Sequence, residues 1–166
     1  MTLEQAREFF RMYNGSSFHM YREDPLQLEQ FEALNVSDSQ KDEWRLEMAE
    51  EYLDKITADN PKSWSLFSSL TTVLTSIKTF SDRQEAMFIE AIEKQAECEL
   101  FARTITLETI CGRTYDYHDG VIAYFRKQGY DLKKLKTTAD KLIEQDTDTD
   151  DDRLKRAINV YRSLII

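Results

Sequence analysis

The stretch SDRQEAMFIEAIEKQAECELFARTITLETICG, residues 81–112, decides how the rest of the chain is read. Ser81 and Gln84 stand in capping-box spacing, in which each side chain satisfies a free backbone N–H near the other. No proline or glycine follows until Gly112, a residue suited to the left-handed turn that closes a helix. The spacing therefore predicts one long helix of about thirty residues. Its apolar residues fall on nearly every side, as they do in a helix surrounded by neighbours. Arg83, Glu90, Glu93, Lys94, Glu97 and Glu108 gather on one side, and Glu85, Glu99 and Arg103 project on the other among Phe88, Ile92 and Ile110. A central helix is expected, with Glu99 and Arg103 forming an i, i+4 ion pair that could floor a ligand pocket.

Working outward, caps and breakers predict shorter helices on both sides. Asn14-Gly15 ends a first helix that starts near Leu3, Asp24-Pro25 opens a second, and Ser37 or Ser39 caps a third over 38–57. Asn60-Pro61 opens a fourth reaching Lys78, although Thr72 to Thr79 also alternates in the manner of a strand. Beyond Gly112, helices are expected over 119–128, 131–144 and 150–164. The chain of 166 residues holds four glycines and two prolines, too few for the turns of a β-protein. The expected fold is all-α: an irregular antiparallel bundle of about six to eight helices around the long central one, in a single domain over 1–166.

No apolar run approaches the ~20 residues of a membrane span, and Met1-Thr2-Leu3-Glu4 leads into no apolar secretion signal. A soluble, cytoplasmic protein without membrane contact is expected. Cys98 and Cys111 would lie about 20 Å apart on the central helix, beyond disulfide reach. They read as buried reduced thiols.

Charge is segregated. The net charge is −9, and residues 23–59 carry all of it, with twelve acids against Lys41, Arg45 and Lys55. Residues 126–141 hold six bases, Arg126, Lys127, Lys133, Lys134, Lys136 and Lys141, against Asp131 and Asp140. An acidic chain with so small a basic patch is not built for phosphate, so nucleic acid is not expected as a partner. On the third helix, Glu43, Glu47, Glu50, Glu51 and Asp54 fill one arc about 100° wide, and Trp44, Leu46, Met48, Ala49, Tyr52, Leu53 and Ile56 fill most of the rest. That arc is the expected contact face for an oppositely charged protein, or for a second copy in a homodimer. The leading function class is a non-enzymatic interaction, adaptor or inhibitor-type protein.

Motifs for chemistry are mostly excluded. Two histidines, His19 and His118, cannot build a three-histidine metal site, and no Glu-x-x-His, Cys-x-x-Cys, phosphate-binding glycine loop or nucleophile elbow occurs. No metal or cofactor is expected. DTDTDDDR (146–153) imitates a calcium loop, but Asp151 stands where the turn glycine belongs and Ala157 where a bidentate glutamate belongs. It reads instead as the acidic start of the last helix.

RTYDYHDG (113–120) is the most enzyme-like stretch. Its Arg113 and His118, spaced Arg-x4-His, resemble the catalytic pair of HEPN-type all-helical ribonucleases over six residues. The resemblance implies a metal-independent ribonuclease in which the arginine orients phosphate and the histidine acts as acid and base. Eleven arginines and two histidines produce about 0.4 such spacings by chance. The remaining alternative is a small-ligand binder. There Glu99 and Arg103 supply the floor, and Tyr13, His19 and Tyr21, from the stretch YNGSSFHMYRED (13–24), rim the pocket. Ser16 to Tyr21 is expected to be a connector, with Phe18, Met20 and Tyr21 lying against the bundle.

Overall fold

Thr2 and Gln5 begin the first helix by a reciprocal cap: Thr2 N–H donates to Gln5 Oε1 (2.8 Å) and Gln5 N–H to Thr2 Oγ1 (3.2 Å). The computed structural model describes residues 1–79, 81–112 and 120–165, and among these all regular structure is helical. The helices are α1 (Leu3–Met12), α2 (Ser17–Glu23), α3 (Pro25–Ala33), α4 (Asp38–Lys55), α5 (Ser63–Thr75), α6 (Asp82–Ala96), α7 (Leu100–Cys111), α8 (Gly120–Gln128), α9 (Leu132–Asp140) and α10 (Asp152–Leu164).

Among the described residues ten helices stand where six to eight were expected, for two reasons. The connector expected at Ser16 to Tyr21 is itself a helix, capped by Ser16 through the His19 N–H and closed at Asp24. The long helix expected over 81–112 is two. Gln84 Oε1 does accept from Ser81 N–H (2.7 Å) as the capping box requires, and Gly112 closes α7 in the left-handed conformation. Between them Glu99 is extended (φ −61°, ψ 163°). The Arg103 guanidinium donates to the Cys98 carbonyl (2.7 Å), satisfying backbone that the helix would otherwise have used.

The central role falls to α7, nine of whose twelve residues are buried. It packs against α5, α6, α8 and α10. Its threonines suit that position, because Thr104, Thr106 and Thr109 each return their hydroxyl to the carbonyl one turn back. Thr71, Thr72 and Thr75 do the same on α5, so the Thr72–Thr79 alternation belongs to a helix as far as Thr75. α4 lies along α5, α1 rests on α4, and α9 on α6. Buried apolar side chains from Ala6 to Ile165 form one cluster, so the C-terminal tail is docked at Ile165 as its apolar sequence suggests. No helix among the described residues is long and apolar enough to cross a membrane.

Two glycines are required by their surroundings. Gly15 (φ +70°) ends α1 beneath Phe10, whose ring a Cβ would meet at 2.5 Å. Gly120 (φ +78°) starts α8 against the end of α7, where a Cβ would sit 2.4 Å from Gly112 N and 2.7 Å from the Ile110 carbonyl oxygen. The two cysteines lie on different elements, Cys98 in the α6–α7 link and Cys111 at the end of α7, and both are buried thiols not joined to each other.

Candidate functional site

The acidic arc on α4 forms as expected, but much of it faces the protein rather than solvent. Ser37 caps α4 through the Gln40 N–H (3.2 Å) and sets its register. Arg7 and Arg11, one turn apart on α1, then reach across to it. Arg7 donates to Glu47 (2.6 Å) and Arg11 to Glu51 (2.6 Å), with Arg11 also 3.6 Å from Glu47. Glu50 pairs with Arg83 of α6. The hydrogen bond from Arg7 to Glu47 stabilises the guanidinium and raises its already high pKa. Glu47, Glu50 and Glu51 are thus ties between helices. The arc is wider than a docking face needs because α1 and α6 flank it and each supplies cations.

Other carboxylates remain free. Glu43 accepts only from the Gln40 amide (2.8 Å), and Asp54 is exposed without a cation partner among the described residues. Glu29 and Glu32, one turn apart on α3, and Asp59 after α4 are exposed in the same way. The open acidic surface is therefore shifted from the centre of α4 toward α3 and the ends of α4.

The remaining candidates are dispersed. Tyr13 and His19 line a shallow groove of about 390 Å³ with Met12, Asn14, Arg22 and Glu23, between the end of α1 and α2. Tyr21 is not on its rim; α2 turns that ring outward. Glu99 and Arg103 do not form the expected pair. Glu99 is exposed, and Arg103 is buried against Asp146 (2.5 Å) and the Cys98 carbonyl. Through its two terminal nitrogens Arg103 holds the loop before α10 to the start of α7, away from Glu99. Arg113 and His118 lie outside the described residues; the chain leaves them at Gly112 and returns at Gly120.

In DTDTDDDR, Asp151 caps α10 by accepting from Leu154 N–H (2.7 Å), as its sequence suggests. Among the described residues no three His, Cys, Asp or Glu side chains are grouped to hold a metal ion. In the basic segment Lys134 faces Glu85 (3.7 Å), Lys136 faces Asp140 (2.6 Å) and Lys141 faces Glu93 (3.0 Å). Three of its six cations are thus paired with carboxylates within the fold.

One set of residues was not anticipated. Phe18 and Tyr21, expected to lie against the bundle, are exposed, and so are Met12 and Leu26. The available clue was spacing: Phe18 and Tyr21 share a helical face opposite Met20, the buried residue of α2. No protein-family model, curated protein or solved structure matches this chain.

Proposed function

We propose that this chain is a non-enzymatic, cytoplasmic interaction protein that presents the acidic surface of residues 23–59 to a protein partner. One observation carries the reading. After the internal pairing of Glu47, Glu50 and Glu51, five carboxylates of this segment (Glu29, Glu32, Glu43, Asp54 and Asp59) stand exposed with no cation partner among the described residues. A one-signed field over such a surface steers an oppositely charged partner and raises its association rate. Two buried cysteines kept as thiols suit a reducing compartment.

The test must spare the carboxylates that hold the fold. Reversing Glu47 or Glu50 would break ties to α1 and α6 and confuse binding with stability. Glu29→Lys, Glu32→Lys and Glu43→Lys touch no internal cation. In affinity capture from the native source, the triple variant should retain its circular dichroism spectrum and lose a stoichiometric partner that the parent protein holds. A partner retained at equal occupancy rejects the acidic-surface reading.

A further inference from the structure

We propose that α2 and its flanks form a ridge that docks a basic amphipathic helix of the partner, an inference that rests on the acidic-surface reading above. The described residues hold nine exposed large apolar side chains, and six of them fall between Leu3 and Leu34. Phe18 is 66% exposed and Tyr21 68%, values far beyond those of aromatic rings that serve only the core. At about 100° per residue the two rings share one face of α2 and Met20 points the opposite way. Met20 is 1% exposed, so a single anchor holds the helix down and turns both rings out. Beside them runs the groove lined by Met12, Tyr13, Asn14, His19, Arg22 and Glu23. Exposed aromatic side chains on one helix face near a groove mark a surface that another molecule covers.

Charge decides what covers it. Arg22, the cation on α2, is held by Glu23 at 2.6 Å. Glu29 and Glu32 follow on α3 with no cation of their own among the described residues. The rings, with Arg22 lying 5.9 Å from the Phe18 centroid, are thus followed on the next helix by unbalanced negative charge, and the complement of the two together is an apolar stripe edged with lysine or arginine. A helix with apolar residues at i, i+3, i+4 and i+7 and basic flanks has that form.

A second copy of this chain does not supply it. Pairing two ridges about a two-fold axis would bring Glu23, Glu29 and Glu32 of both copies together. The basic segment 126–141 carries none of the exposed large apolar side chains among the described residues. An anionic lipid surface would be repelled by the same carboxylates.

The experiment uses the whole protein and a fluorescein-labelled synthetic helix of leucine and lysine, read by fluorescence polarisation. Binding is expected with a Kd in the range of about 1–50 µM, weakening as salt rises. Phe18→Ser and Tyr21→Ser should each weaken it about tenfold while circular dichroism stays unchanged. Glu29→Gln with Glu32→Gln should weaken it and flatten the salt dependence. Trp64→Ser, which truncates the exposed ring on α5, should leave it unchanged. Absence of binding up to about 1 mM peptide overturns the proposal, as does equal binding by the Phe18 and Tyr21 variants. Sedimentation showing a homodimer that Tyr21→Ser dissolves would place a second copy on the ridge and overturn it as well. Vesicle binding lost with Phe18→Ser would do the same in favour of lipid. A captured partner that needs Glu29, Glu32 and Glu43 but is indifferent to Phe18 and Tyr21 defeats the ridge and leaves the acidic surface standing.

Discussion

Asp42 shows how much one side chain can hold. It is buried, and its Oδ1 accepts from Arg45 (2.9 Å) while Oδ2 accepts from the backbone N–H groups of Lys78 (3.1 Å) and Thr79 (3.0 Å). Arg45 in turn lies over the Phe10 ring, 5.1 Å from its centroid. One carboxylate therefore joins α4 to the turn beyond α5 and, through Arg45, to the core beneath α1. Asp42→Ala would leave the buried Arg45 guanidinium and the backbone N–H groups of the turn at Lys78 and Thr79 without their acceptor. Removing one partner of a buried pair costs about 3–5 kcal/mol, and urea denaturation should show a loss of that size. An unchanged midpoint would mean that water replaces the carboxylate. The backbone half of this was not legible in the sequence, where Asp42 is one of twelve acids in 23–59 and its backbone partners lie 36 and 37 residues away. The i, i+3 spacing to Arg45 was the visible half of the network.

At the scale of elements, signals that act within one turn were readable and those that act across the fold were not. Asp24-Pro25 opens α3, with Asp24 Oδ1 accepting from Gln27 N–H (3.1 Å). Ser81 with Gln84, Gly15 and Gly112 also lie where their local chemistry puts them. The division between α6 and α7 follows a different logic. Glu97, Cys98 and Glu99 can all continue a helix, and the chain departs there because Arg103 takes the Cys98 carbonyl while Asp146, 43 residues on, fixes the guanidinium. The same holds for the acidic arc. Periodicity gathered Glu43, Glu47, Glu50 and Asp54 on one side of α4, but only the position of α1 reveals that Arg7 and Arg11 occupy its middle. For α2 the apolar content of Ser16 to Tyr21 predicts that Phe18, Met20 and Tyr21 pack inward, and only Met20 does. A seven-residue helix can bury only one of its sides, and Met20 took it.

The molecule as a whole carries its tyrosines in a way that sets its alkaline limit. The Tyr161 hydroxyl donates to Asp140 (2.9 Å), and Tyr124 lies between Gln84 and the Leu74 carbonyl. Burial pushes both phenols well above their ordinary value of 10.0, and for Tyr161 the Asp140 carboxylate adds to the shift. Below pH 10 both phenols are protonated whether the chain is folded or not, and their contribution to stability is intact. As pH rises past 10 the unfolded chain releases protons that the folded chain retains, so stability must fall. Urea stability measured from pH 8 upward should decline from about pH 10, and the Tyr124→Phe, Tyr161→Phe double variant should decline less. An identical slope in the two proteins would show that other groups set the limit.

The placing of the two tryptophans has a practical consequence. Trp44 is 3% exposed and packs 5.5 Å from Phe10 among α1, α3 and α4, whereas Trp64 is 37% exposed and meets Phe101 edge-on at 5.7 Å where α5 borders α7. The chain thus carries two natural fluorophores of different colour and quencher access, one inside its buried cluster and one at the surface. Trp44→Phe and Trp64→Phe each isolate one of them. With the core continuous from Ala6 to Ile165, the two emission changes should share one denaturant midpoint, as a single cooperative unit requires. Separated midpoints would divide the chain into two folding units.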